Sequence, residues 1–243
     1  MHIGIIAAMD EELSFLKQSI NISDVVDIAG ITFYKGDLGD ISVVIVQSGI
    51  GKSAAAMAAT LLYAHFNVSH IYNTGTAGGL GADVAIGDVI VGTKIAYFDV
   101  DVTAFGYKLG QVPNNPEYYS SSKELVETAI AQDIKHKTKQ YQVHTGMILS
   151  GDTFVSNIEQ KDDILANFNA AQALDMESAA IAQVCSKFNI PFIVVRSISD
   201  NAGESANELF KGNLLTASKN ATDFLISLIK TETYKACELK VCS

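Results

Sequence analysis

Three sets of carboxylates and a single arginine are the residues of this chain equipped for catalysis. Asp10-Glu11-Glu12 follows an apolar run from Ile3 to Ala7. Glu177 heads a helical stripe shared with Ile181, Val184 and Phe188. Asp200 closes the run Phe192-Ile193-Val194-Val195-Arg196-Ser197-Ile198-Ser199-Asp200. Acids in a first helical turn stabilise the helix dipole, and this alone accounts for at least one of the first three. A carboxylate at the head of an apolar stripe is different, because burying it is costly unless it has a partner or a task. Arg196 is the only arginine among 17 basic residues, and strand alternation places it on the same face as Asp200. The two are either a buried structural pair or parts of one site, and the need to compensate a buried charge favours the site.

Two glycine-rich stretches follow predicted strands. In Ser48-Gly49-Ile50-Gly51-Lys52-Ser53, a P-loop would need glycine where Val46 stands. A dinucleotide fingerprint is matched at Gly49, Gly51 and Ala54, but no Asp or Glu occurs between Lys52 and Ala82 to hold a ribose. What survives is a turn that lets backbone pass close to something. Asn73-Thr74-Gly75-Thr76-Ala77-Gly78-Gly79-Leu80 reads as a second such turn, with converging N–H groups and the Thr76 hydroxyl. Ligand crevices of open parallel sheets lie beyond the carboxyl ends of the strands, so the two stretches predict one shared pocket, with close helix-to-sheet packing as the alternative.

The five histidines show no HExxH spacing, no serine sits centrally in GxSxG, and Cys185 reads as core. Neither a metal nor a cofactor is expected. Carboxylates, hydroxyls and one arginine suit acid and base work at a glycosidic centre. One carboxyl stays ionised and activates water, while another, its pKa raised by burial, protonates the leaving group. Spacing alone identifies neither the sugar nor the leaving group.

Positioning these groups falls to short β-branched runs that alternate with helical patterns. Strands are predicted at Ile3 to Ala7, Val25 to Ile28, Ile31 to Leu38, Ile41 to Gln47, His70 to Thr74, Val89 to Gly92, Lys94 to Val100, Tyr141 to Leu149, Ala173 to Met176 and Phe192 to Ser197. Helices are predicted at Glu11 to Ser19, Lys52 to Phe66, Lys123 to Ile134, Glu159 to Phe168, Glu177 to Phe188 and Glu208 to Ile229. The strands are continuously apolar, as in a sheet covered on both faces. Turns at Ala29-Gly30 and Gly39-Asp40 make the second to fourth an antiparallel meander. The expected architecture is α/β, a single-domain three-layer α/β/α fold with a mixed central sheet flanked by helices. Residues 1–230 form the domain, and 231–243, with Cys237 and Cys242, are set apart as a disordered tail. Phe98 to Tyr119 is a long aromatic loop of the functional kind.

With 243 residues the chain encloses its own core. A net charge of -10 with no basic block argues against nucleic acid. Three unpaired cysteines fit a reducing cytoplasm, and neither a secretory signal nor an apolar span long enough for a membrane is found.

The order of motifs GIIAAMDEE (4–12), SGIGK (48–52), NTGTAGGL (73–80), DVTAFGY (101–107), SGDTF (150–154), LDMESAAIAQVC (174–185) and VVRSISD (194–200) resembles the 5'-methylthioadenosine/S-adenosylhomocysteine nucleosidases of the nucleoside phosphorylase family, up to about Ile229. The resemblance implies hydrolysis of the N-glycosidic bond of those two nucleosides, and of 5'-deoxyadenosine, to adenine and the 5-substituted ribose. It implies that Asp200 is the acid for adenine N7, oriented by Ser199, and that Glu12 aligns the attacking water, helped by Arg196 and Thr76. Glu177 and Met176 would hold the ribose hydroxyls, Phe154 and Val155 would read the adenine edge through their backbone, and Phe210 would stack near it. Met9, Ile50, Ala77 and Gly78 fall among the substrate-binding positions. Val102, Phe105 and Pro113 would reach into the pocket of a neighbouring subunit and cover the 5'-thio group, which implies a homodimer. Thr76 stands where the family has serine, Val155 replaces isoleucine, Phe98 histidine and Asp175 glutamate.

Two rivals follow from the same pattern. One is a phosphorolytic relative, disfavoured because such phosphate pockets use more than one arginine and a dianion beside Glu11 and Glu12 would be repelled. The other is a silent nucleoside-binding protein, of which the intact Glu12, Glu177 and Asp200 give no sign.

Overall fold

The computed structural model describes residues 2–135, 140–203 and 205–241, with 134–135 and 232–241 as backbone only. Strands β1 (His2–Ala7), β4 (Ile41–Gln47) and β5 (Val68–Gly79) run parallel. The sheet continues past β4 through β3 (Ile31–Leu38) to β2 (Asn21–Ile28) as the expected antiparallel meander. On the other side, β5 pairs with both β10 (Phe192–Asp200) and β9 (Ala171–Asp175). β10 pairs with β6 (Val89–Tyr97), β6 with β8 (Val143–Ser150), and β8 with β9. Five strands therefore close into a ring, from which the remainder of the mixed sheet extends. β7 is the short Tyr119–Ser120 pairing on β6.

The helices α1 (Asp10–Ser19), α2 (Lys52–Phe66), α3 (Lys123–Lys135), α4 (Ile158–Asn167), α5 (Ser178–Phe188) and α6 (Ala206–Val241) explain why the strands carry no polar alternation. Along β1, β4, β6 and β10, successive residues enter two different cores. Ile6, Val44, Val46, Ile90 and Val194 pack under α2 and α5. Ile5, Val43, Ile45, Val89, Val91, Ile193 and Val195 pack under α1, α3 and α6. With both faces covered, every position in these stretches is apolar, and each fully buried branched side chain contributes roughly 1.5–3 kcal/mol. α2 and α5 end on Asn67 and Asn189 in left-handed conformations, which asparagine tolerates better than most residues.

Four expectations need correction. The stretch 73–80 is not a turn, since β5 runs through to Gly79. The two strands read at 89–92 and 94–100 are one strand with a register shift between Gly92 and Lys94. The helix from Ser178 has Glu177 as its N-cap rather than its first residue. The last helix, expected to stop at Ile229, continues to Val241, so the backbone of the supposed tail is helical that far, and residues 242–243 lie outside the described residues.

Candidate active site

The carboxyl ends of β1, β5, β9 and β10 and the turn after β4 meet around a cavity of about 290 Å³. Its walls include Met9, Glu12, Ile50, Thr76, Ala77, Gly78, Phe154, Val155, Met176, Glu177, Ser199, Asp200 and Phe210, thirteen of the residues expected from sequence. Ala8, Thr153, Leu174 and Asp175 complete the lining; each lies within a motif read from the sequence without having been given a site role.

Glu12, third residue of α1, reaches back across the helix start and is 2 % exposed. One carboxyl oxygen accepts the N–H groups of Ala8 (3.0 Å) and Met9 (3.2 Å), and the other accepts the N–H (2.8 Å) and hydroxyl (3.1 Å) of Thr76. The approach of Glu12 explains Gly75. A Cβ there would lie 2.7–2.9 Å from the Glu12 carboxyl atoms. Burial raises the Glu12 pKa, opposed by the Arg196 charge and the backbone N–H bonds.

Glu177, 6 % exposed, accepts the Gly51 N–H at 2.9 Å. Gly51 has φ +95°, and the turn it makes, with Gly49 at φ +81°, is what aims this N–H into the cavity. The Glu177 pKa is pushed up from 4.5 to about 7 by burial first and by Asp175 second, against Arg196 and the Gly51 N–H.

Asp200, 2 % exposed, follows a register shift between Ile198 and Asp200 in the ladder with β5. Its oxygens accept the Ala202 N–H (2.8 Å) and the Ser199 hydroxyl (2.9 Å). Burial raises its pKa, countered by those two bonds and by Lys161. The Ser199 hydroxyl also lies 3.3 Å from the Ala77 carbonyl. It has one proton for two acceptors, so it serves an anionic Asp200 and can turn to Ala77 when Asp200 carries a proton.

Arg196 is placed differently from the expectation. It does not line the cavity and does not pair with Asp200, because the register shift breaks the alternation that would have aligned them. Its guanidinium, 1 % exposed, lies under the floor, bonded to Asp175 (2.8 Å), to Asn73 (2.6 Å) and to the Val195 carbonyl (3.3 Å). Asp175 in turn accepts the Ser150 hydroxyl (2.6 Å), the Glu177 and Ser178 N–H groups and the Ser178 hydroxyl. This is the buried structural pair of the two earlier alternatives, with Asp175 as the partner. Its charge still acts on Glu12 and Glu177.

Val102, Phe105 and Pro113 do not line this cavity. They lie in the long loop, whose Thr103–Phe105 turn leaves Phe105 81 % exposed. Lys52 ties the start of that loop to the glycine turn, bonding Asp99 at 2.6 Å while its N–H bonds Asp152 at 2.8 Å. Phe154 and Phe210 meet edge to face at 5.8 Å across the cavity mouth. Among the described residues no three His, Cys, Asp or Glu side chains gather into a group fit for a metal ion, and no helix is long and apolar enough to cross a membrane.

Three buried carboxyls thus stand at separate walls of one small cavity, each held by backbone N–H groups alone or with a hydroxyl. Residues 2–230 match the family described as the phosphorylase superfamily. A 5'-methylthioadenosine/S-adenosylhomocysteine nucleosidase of Oceanobacillus iheyensis is 43 % identical over 232 residues, 95 % of this chain and 99 % of that protein. A Colwellia psychrerythraea nucleosidase of the same description, solved with adenine, superposes with a TM-score of 0.92 at 41 % identity, over 95 % of each chain. The corresponding Neisseria meningitidis structure, in complex with methylthio-immucillin-A, gives 0.92 at 37 % identity, over 95 % of this chain and 99 % of that one. The chain belongs to the phosphorylase superfamily, within its 5'-methylthioadenosine/S-adenosylhomocysteine nucleosidases.

Proposed function

We propose that the chain hydrolyses the N-glycosidic bond of 5'-methylthioadenosine and S-adenosylhomocysteine, and of 5'-deoxyadenosine, releasing adenine. The observation that carries this reading is the presence of three buried carboxyls, Glu12, Glu177 and Asp200, around one cavity, each with its pKa raised by burial. In the reaction, Asp200 gives its proton to adenine N7 and the bond from N9 to the anomeric carbon breaks. Ser199 follows the proton by turning from Ala77 to the new carboxylate. Positive charge develops on the ribose beside Glu177, and the ionised form of that carboxyl, already present at neutral pH with a pKa of about 7, stabilises it.

Water completes the exchange, its oxygen bonding the anomeric carbon and its proton passing to Glu12. All four acceptor positions of Glu12 are occupied by Ala8, Met9 and the two Thr76 donors. Three are backbone N–H groups, and only the Thr76 hydroxyl can rotate away, so the water enters there. The methyl that distinguishes threonine from serine restricts that rotation without removing it.

Hydrolysis is favoured over phosphorolysis by the placement of Arg196. The only guanidinium of the chain is engaged under the floor, and the cavity that would have to accept a phosphate dianion is lined by carboxyls. The homodimer belongs to the same proposal. Phe105, Met57 (46 % exposed) and the stacked pair Tyr63–Phe188 at 4.5 Å leave apolar surface for a second copy to cover. A cytoplasmic location fits the buried free thiol of Cys185.

The test is adenine release from methylthioadenosine in phosphate-free buffer, by the parent and by Asp200→Asn. The parent is expected to turn over without phosphate, and the variant to lose roughly 10²-fold or more in kcat while still binding. Adenine release that begins only when phosphate is added, with a sugar phosphate as co-product, or an unimpaired variant, would overturn the assignment.

A further inference from the structure

The cavity wall assigned to adenine is made of two segments, Thr153-Phe154-Val155 ahead of α4 and Ser199-Asp200 at the end of β10. Among the described residues no backbone hydrogen bond joins them. Two side-chain links instead join elements that flank them. One is the Phe154–Phe210 contact at the mouth. The other is Lys161 of α4, half-buried and outside the cavity lining, whose ammonium donates to the carbonyls of Asn201 (2.7 Å) and Gly79 (3.3 Å). Gly79 ends β5, one residue beyond the ladder partner of Asp200. Among the described residues the ammonium forms no ion pair with a carboxylate.

The turn that Lys161 grips is a strained one. Ala202 is fully buried with φ +51°, a left-handed conformation unfavourable for a residue with a side chain, and its N–H holds one Asp200 oxygen. Asn201, whose carbonyl Lys161 takes, lies inside that turn. α4 itself starts at Ile158, shortly after Val155 in sequence, and its start is capped by the Asn157 side chain, which accepts the Gln160 N–H at 2.9 Å. A lysine one turn into a helix that follows the Phe154–Val155 segment thus holds the turn that fixes the acid.

We propose that Lys161 is a positioning residue for Asp200: by bridging α4 to the ends of β5 and β10 it sets the gap between the acid and the Phe154–Val155 backbone across which the leaving base is held. This rests on the reading of Asp200 as the acid. Among the described residues, the other charged or polar groups near Asp200 are Ser199 on its own strand, the Ala202 N–H of the turn, Asn213 of α6, which donates to the Ser199 carbonyl at 3.3 Å, and Glu12 of α1 and Glu177 at the head of α5 across the cavity. None of these changes when Lys161 is replaced.

The experiment measures kcat for methylthioadenosine across pH with the full-length parent, Lys161→Met, Lys161→Arg and Asp200→Asn. Lys161→Met is expected to lower kcat on the order of 10-fold or more, as displacement of a catalytic group by a fraction of an ångström to an ångström does. It should also move the alkaline limb to higher pH. An acid works below its pKa and fails above it, and removing a nearby positive charge raises that pKa. Lys161→Arg keeps donor and charge and is expected to restore both. The inference is overturned if Lys161→Met keeps the parent kcat and limb, or if it loses activity with the limb unmoved and Lys161→Arg no better. Inactive Asp200→Asn beside an unaffected Lys161→Met sinks the lysine alone, whereas active Asp200→Asn sinks the acid assignment itself.

Discussion

Replacing Glu177 by glutamine is expected to make the unliganded protein harder to unfold, and only above mildly acidic pH. In the native protein the carboxyl is 6 % exposed and its pKa is raised from 4.5 to about 7. In the unfolded chain it titrates near its ordinary value, so between these two points the native state holds more protons, and stability falls as pH rises through the window. Below pH 4.5 the group is neutral in both states and contributes nothing. Above pH 7 it is an anion in both, and the native state bears the full penalty. At 1.36 kcal/mol per pH unit that penalty is about 3 kcal/mol. Glutamine cannot ionise, and its amide oxygen can still accept the Gly51 N–H that Glu177 accepts at 2.9 Å. The variant and parent are therefore expected to unfold alike at pH ~4 and to differ by about 3 kcal/mol at pH ~8, or roughly 6–12 °C in Tm for a chain of this length. Thermal unfolding followed by circular dichroism without ligand reads this directly. A gap that fails to widen with pH, or a parent more stable at pH 8, would refute burial as the cause of the raised pKa. The same variant is expected to lose turnover, as residues kept for function at the expense of stability do.

Gly75→Ala is expected to lose on the order of 10²-fold in kcat, because its Cβ would stand 2.7–2.9 Å from the Glu12 carboxyl atoms and must displace them; adenine release at the parent rate would show that Glu12 need not stay where it is. Asp175→Asn strips the Arg196 guanidinium of its charged partner at 2.8 Å in a fully buried setting, and about 3–5 kcal/mol of stability is expected to go with it. Urea denaturation measures the loss, and a change of less than about 1 kcal/mol would mean that Asn73 and the Val195 carbonyl suffice for the arginine.

Much of the fold was legible because its strands are covered on both faces. Val43 to Val46 and Ile193 to Val195 are apolar without interruption, and only a sheet between two helical layers makes that economical. Glu177 was legible for the opposite reason, a charge where a stripe of Ile181 and Val184 demanded none. What could not be read were the local departures from period. The Asn73 to Gly79 segment looks like a turn by composition, yet its glycines serve a strand that side chains approach closely, with Gly75 leaving room for Glu12 and Gly78 lying opposite Asp200. A register shift of one residue before Asp200 is invisible in a run of small and branched side chains, and it broke the predicted partnership with Arg196. The pairing of Asp175 could not be read because nothing near it in sequence is positive; its counter-charge arrives from Arg196 on another strand. Lys161 is one of 16 lysines, distinguished only by where its helix points it.

The strand ring bears on how such a protein can change over evolutionary time. β1, β5, β9 and β10, which deliver the chemical groups, each have hydrogen-bonded neighbours on both sides. Adding or deleting a residue in any of them would throw its neighbours out of step, and every group at the rim would drift together. The β2–β3 hairpin has no such constraint, since β2 is the outermost strand and is largely exposed. Length variation among relatives is therefore expected to accumulate at that margin and in the connecting loops, while new specificities arise by exchanging side chains at the rim.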